Sequence, residues 1–231
     1  MAIEIPIAYF SCICGREVRD LVSGKEVAMK SKAEEKFDKI VKEGFHATLK
    51  PLGFKKKGSN FYFYTNGIGQ IINLQKSQFY SKSNIHFTIN TAIFLPEFWS
   101  EFYNYFDKPI PDYPIESECI LRLRIGQLRN ENDVWYDIVE TTEENDLIDE
   151  MKANLSHYIL PHFAQVASKQ MLIEFLDRQT MGATLLEKLI VFGELGDMER
   201  TRKEFHKLLN DSGNANYLGR IHEYGRKYGL I

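Results

Sequence analysis

The dipeptide Asn66-Gly67, set between two runs of strand-forming residues, constrains the fold of this chain more than any other feature. Asn and Gly tolerate the positive φ that tight hairpin turns demand, so the pair is a strong hairpin signal. The flanking runs, 60–65 (NFYFYT) and 70–77 (QIINLQKS), joined through TNGIGQ, therefore read as two antiparallel strands. Three further β-rich segments extend them into a meander: 84–94 (NIHFTINTAIF), 118–125 (ECILRLRI) and 133–139 (DVWYDIV). Pro96 ends the third, and a proline- and aromatic-rich loop, FWSEFYNYFDKPIPDYP, leads toward the fourth.

A helix precedes the sheet. Ser31 and Glu34 form a capping-box pattern, and Ala33, Phe37, Ile40, Val41, Phe45 and Leu49 recur at helical spacing over 31–50. Pro51 and Gly53 stop it. The last third is helical as well. The acidic run Glu143, Glu144 and Asp146 suits a helix start, Pro161 is expected to break or kink that helix, and a second segment runs through MLIEFLDR. Two helices follow Gly182, over 184–195 and 197–210, and a last apolar face carries Tyr217, Ile221, Tyr224 and Tyr228. One helix before a run of strands, with no strict β–α alternation, indicates an α+β fold. The expected organisation is an α+β sheet domain over 1–140 and a C-terminal helical subdomain over 141–231, packed on or beside it.

Alternation sorts the strand residues onto two faces. One face holds Phe61, Phe63, Ile72, Leu74, Ile85, Phe87, Ile89, Leu121, Leu123, Tyr136 and Ile138, and matches the apolar stripe of the helix. The other holds Tyr62, Tyr64, Asn73, Gln75, His86, Thr88, Asn90, Arg122, Arg124, Trp135 and Asp137. Ordinary solvated faces favour Lys, Glu and Thr, whereas this one favours amides, arginine and aromatic rings. Arg122 and Arg124 are placed to grip a carboxylate or phosphate. Two plainer readings compete: a solvated sheet face, or a face covered by the C-terminal helices with Arg124 paired to Asp137.

Other chemistry is missing from the sequence. The six histidines form no ligand motif, and His157 and His162 stand five apart across Pro161. Gly67 and Gly69 lack the third glycine of a dinucleotide fingerprint, and neither a Walker loop nor a nucleophile elbow occurs. Cys12 and Cys14 are spaced too tightly for a zinc knuckle, and with Cys119 they make an odd count that gives no disulfide framework. No metal or cofactor is expected, and reduced thiols point to a cytoplasmic setting. Lys55, Lys56 and Lys57 read as a solvated turn or a contact for an acidic partner. A net charge of -3 argues against a nucleic-acid binder. Residues 5–14 are uncharged but lack the basic lead of a secretory signal. The alternating Ile3, Ile5 and Ile7 read instead as a strand added to the sheet or to a partner, and no apolar run is long enough for a membrane span.

The order GFKKKGSNFY, QIINLQKS, FTIN with a following FLP, ECILRLRIG and Trp135 resembles the domain of unknown function 4304 family, a bacterial family. The matching positions are Gly53, Phe54, Lys55 to Lys57, Asn73 to Ser77, Cys119, Arg122, Arg124 and Gly126, and the likeness covers about residues 31–140. The resemblance implies an α+β fold and supplies neither a reaction nor catalytic residues. The first functional expectation is a non-enzymatic binding protein with a protein partner, of the toxin-immunity or accessory type. The second is an enzyme acting on a small anionic molecule or nucleotide, with His86 as acid or base, Arg122 and Arg124 on the anion, and Asn73 and Gln75 positioning it.

Overall fold

The computed structural model describes residues 30–79, 81–179, 181–210 and 218–231. Ile3, Ile5, Ile7, Cys12, Cys14 and Tyr217 lie outside them.

Ser31 caps α1 (Lys32–Ile40) as the pattern predicts: its Oγ accepts the Glu34 N–H at 3.2 Å, and a Glu34 carboxylate oxygen accepts the Ser31 N–H at 2.8 Å. The helix runs on through a π-turn (Val41–His46), another α-turn (Ala47–Leu49) and a 3-10 turn (Lys50–Leu52) to Gly53 at φ +90°. Its six stripe residues are all buried.

They lie against a six-stranded antiparallel sheet. Strands β1 (Lys55–Lys57), β2 (Asn60–Thr65), β3 (Ile68–Lys76), β4 (Ile85–Phe94) and β5 (Ile120–Arg124) are neighbours in chain order. Asn66 at φ +49° and Gly67 at φ +75° make the turn between β2 and β3, both in the left-handed region that this hairpin turn requires. The lysine cluster is an edge strand and no turn, with all three side chains exposed. Charge on an edge discourages pairing with other chains.

The sixth strand departs from the expected meander. After β5, a short helix (Ile125–Leu128) folds the chain back, and β6 (Tyr136–Ile138) pairs with β4, not with β5. Both strands thus share one side of β4, β5 against Asn90–Ile93 and β6 against Ile85–Phe87. Gly126 makes this fold-back possible: a Cβ there would lie 2.1 Å from the carbonyl oxygen of Asn132. Its own carbonyl accepts the Glu131 N–H at 2.8 Å.

Two other expectations are corrected. The residues after β4 begin as a helix, α2 (Pro96–Phe102), because Pro96 sits at the helix start, where its missing N–H costs nothing. Pro161 does not break its helix: α3 (Glu144–Asn154) passes through a π-turn (Leu155–Ile159) into the turn Leu160–Ala164. The widened turn ahead of the proline absorbs its missing donor. The remaining helices are α4 (Lys169–Arg178), α5 (Leu185–Glu194), α6 (Met198–Asn210) and α7 (Leu218–Lys227).

One apolar cluster links these parts, from Phe37 and Phe45 through Phe61, Ile72 and Phe87 to Phe163, Leu176, Phe192, Phe205 and Ile221. Each such side chain, fully buried, is worth about 1.5–3 kcal/mol. A second, smaller cluster (Ile71, Ala92, Phe94, Trp99, Cys119) lies on the opposite face of the sheet. It divides that face in two.

Candidate functional site

The register places the polar residues in rows across the strands. Tyr62 stands opposite Ile71, and Ile71 opposite Ala92. Asn60, Asn73, Asn90 and Arg124 form the next row, followed by Gln75 with Thr88, then His86 with Asp137. All eleven predicted residues share the face opposite α1, yet they do not form one site.

Tyr62 belongs to the covered half, and Tyr64 stands at its edge, about half exposed. The Tyr62 ring packs edge-on against Tyr113 at 5.1 Å and borders the smaller apolar cluster, as Tyr103 and Tyr105 do. Burial, together with the charge of Glu97, pushes the Tyr64 hydroxyl up to about 12. Cys119 lies under the same cover, where burial raises its thiol well above the ordinary range and leaves it unreactive.

The other nine gather in the open half. Asn73 donates to Asn60 Oδ1 at 2.6 Å, and Asn90 donates to Asn73 Oδ1 at 3.1 Å and to Gln75 Oε1 at 2.8 Å. This amide ladder ties three strands together and fixes the side chains before any ligand arrives. Thr88 Oγ1 donates to the Val134 carbonyl at 2.7 Å, anchoring the segment that carries Trp135. The Trp135 ring stacks on His86 with centroids 4.7 Å apart and planes 5° apart, and the Arg124 guanidinium lies over the same ring, 5.4 Å from its centroid. His86 Nδ1 lies 2.8 Å from Asp137 Oδ1.

The anticipated Arg124–Asp137 pair does not form. Asp133 takes Arg124 and also accepts the Trp135 indole N–H at 2.9 Å, while Asp137 serves His86. Arg122 Nε donates to Glu116 at 2.9 Å. Both arginines therefore already hold a carboxylate, which weakens them as bare anion receptors.

The C-terminal helices do not seal this half. The segment 182–187 reaches only its rim, where the Gly182 carbonyl accepts the Arg122 N–H at 3.1 Å. What remains is an open cavity of about 500 Å³, lined by Gln75, Asn90, Arg122, Arg124 and Gln127 on the sheet side and by Ala183, Thr184 and Glu187 opposite. Two arginines face two glutamates, Glu116 and Glu187, so its charge balances. The alternation that selects Tyr62 also selects Asn60, which the sequence reading left out. Glu116, Asp133, Gln127 and Thr184 come from turns and a helix start whose approach to the sheet no strand pattern encodes.

Among the described residues, no group of three His, Cys, Asp or Glu side chains is placed to hold a metal ion, and no helix is long and apolar enough to cross a membrane. The sheet and the helix following it coincide with a family model, domain of unknown function (DUF4304), which matches residues 45–165. The chain belongs to that family. The match starts within the helix before β1 and runs past β6 to the end of the Pro161 helix, beyond the expected limit at residue 140. No curated protein and no solved structure matches the chain.

Proposed function

We propose that this chain is a non-enzymatic binding protein and that a protein partner docks on the open half of the polar face. The observation that carries this reading is the hydrogen-bonded ladder Asn60–Asn73–Asn90–Gln75, in which buried Asn90 holds exposed Gln75 in place, beside the contacts of Trp135 with His86 and Arg124. Preorganised side chains lose little entropy on binding. Tryptophan and arginine are the residues most often found carrying binding energy at protein interfaces. The balanced charge of the cavity fits a mixed protein surface better than a phosphate. An immunity or accessory role is one form such binding can take.

The test is affinity capture from the host with the full chain as bait. A partner retained by the parent and by Arg202→Ala, on the exposed side of α6, and lost with Gln75→Ala/Trp135→Ala supports the reading. A partner held equally by all three baits, or no partner, refutes it.

A second reading rests on the His86–Asp137 contact at 2.8 Å. A carboxylate on Nδ1 orients an imidazole as a general base, which would make the face an enzyme site for a small polar molecule. A thermal-shift screen of nucleotides and phosphorylated metabolites checks it: a shift abolished by His86→Gln favours the enzyme, and no shift with any compound removes it.

A further inference from the structure

The outer edge of β2 is left open at one residue. The Ser59 carbonyl accepts the Leu74 N–H at 3.0 Å, so odd-numbered residues of β2 bond to β3 and even-numbered ones face outward. Asn60 and Tyr62 meet Lys57 and Lys55 of β1. Beyond Lys55 the chain turns away: Phe54 stacks on Phe63 at 5.2 Å, and Gly53 adopts φ +90°. Tyr64 thus presents its N–H and C=O to an edge that β1 does not reach, and among the described residues neither group is partnered there. The far end of this notch is closed where Asn66 Nδ2 donates to the Ala167 carbonyl at 3.1 Å.

A separate cavity of about 470 Å³ opens beside the notch, between the sheet and the loop 110–114. Tyr62, Tyr64, Gly69, Ile110, Pro111 and Pro114 line it. Tyr64 is 51% and Ile110 58% exposed, although both are large and largely apolar. Exposed apolar side chains grouped at a concavity mark contact surfaces.

We propose that this notch binds an extended peptide segment of a protein partner, which adds as a short strand at Tyr64 and places one apolar side chain in the adjoining cavity. An outward N–H and C=O on one residue select an extended backbone, because only a strand returns both bonds at the right spacing. Strand alternation then sends one guest side chain toward the cavity and its neighbours away from it. The site lies under and beside the covered half of the face, so it stands independently of the open-half reading.

To test it, a phage-displayed library of linear peptides is panned on the full-length protein, and the selected peptides are synthesised. The expected peptides carry one apolar or aromatic anchor, and Ile110→Asp weakens them at least about tenfold, as loss of an anchoring contact does, while Arg124→Ala leaves them unchanged. N-methylation of alternate peptide residues abolishes binding in one phase and spares it in the other. Bound peptide slows hydrogen exchange of the Tyr64 amide. Failure to select any peptide, or selected peptides indifferent to Ile110→Asp, overturns the proposal. A Tyr64 amide already protected in the free protein, or protected only at high protein concentration, also overturns it, since the edge is then filled by the chain itself or by a second copy.

Discussion

His162 is buried to 5% exposure, its Nε2 has no hydrogen-bond partner, and its ring meets the Phe175 ring edge-on at 5.5 Å. Burial holds its pKa down at about 4, against 6.5 for the free side chain. A base whose folded pKa is depressed stabilises the fold fully above the unfolded pKa and loses that contribution as pH falls toward the folded one. The fold is therefore expected to lose about 2 kcal/mol between pH 7.5 and pH 5, of roughly 3 kcal/mol in all. Urea unfolding at both pH values measures this. The change His162→Phe, which removes the titrating group, is expected to flatten that part of the pH dependence. At this scale the sequence told part of the story. The spacing of His157 and His162 excluded a shared zinc face, but nothing in it marked His162 as buried without a partner. Arg124 is similar: its side of the sheet follows from alternation, whereas the choice of Asp133 over Asp137 depends on a loop returning past Gly126.

Elements were legible where local chemistry sets them alone. The capping box at Ser31, the stripe of α1, the Asn66-Gly67 turn and the pleat of β2 to β4 all follow from spacing, because each depends on neighbours a few residues away. Pro96 ends its strand as expected, but the helix it opens and the helix continuing through Pro161 escape the pattern for one reason. A proline removes a donor, and whether that costs a bond depends on helix register, with a π-turn before Pro161 and a helix start at Pro96. The return of β6 to β4 depends on close approach, which Gly126 permits and no strand pattern announces. Gly126→Ala is expected to push the 129–134 loop off the sheet, because the atom it meets is backbone and cannot rotate away. Overpacking of this kind costs typically 1–3 kcal/mol. The denaturation midpoint reports the loss, and in a Trp99→Phe background the emission of Trp135 shifts as its stack with His86 loosens. An unchanged spectrum would show that the loop does not position the stack.

On the scale of the whole molecule, the cluster running from α1 through the sheet to α7 ties the two sequence regions into one packing unit. Met151 packs against Gly44, where a Cβ would lie 3.0 Å from the methionine Cβ, so α3 and the first helix meet almost backbone to backbone. A chain ending at residue 140 would expose that surface. It is expected to lose cooperative unfolding in urea and to bind hydrophobic dye, while a sharp, dye-free transition would show that the sheet region folds alone. Long-range closure of this kind is not written in composition shifts, since no linker separates the regions. The division of the polar face is equally a whole-molecule property. Alternation puts eleven residues on one side, and the smaller apolar cluster, on which Tyr103 and Tyr105 pack, separates Tyr62 from the rest. The most direct test of a partner on that open half is photo-cross-linking in host cells. The photoreactive residue replaces Gln75 in one chain and the exposed Arg202 in another. One discrete protein adduct from position 75, missing from position 202 and suppressed by Trp135→Ala, is the predicted result. No adduct at position 75, or the same adducts from both positions, would contradict it.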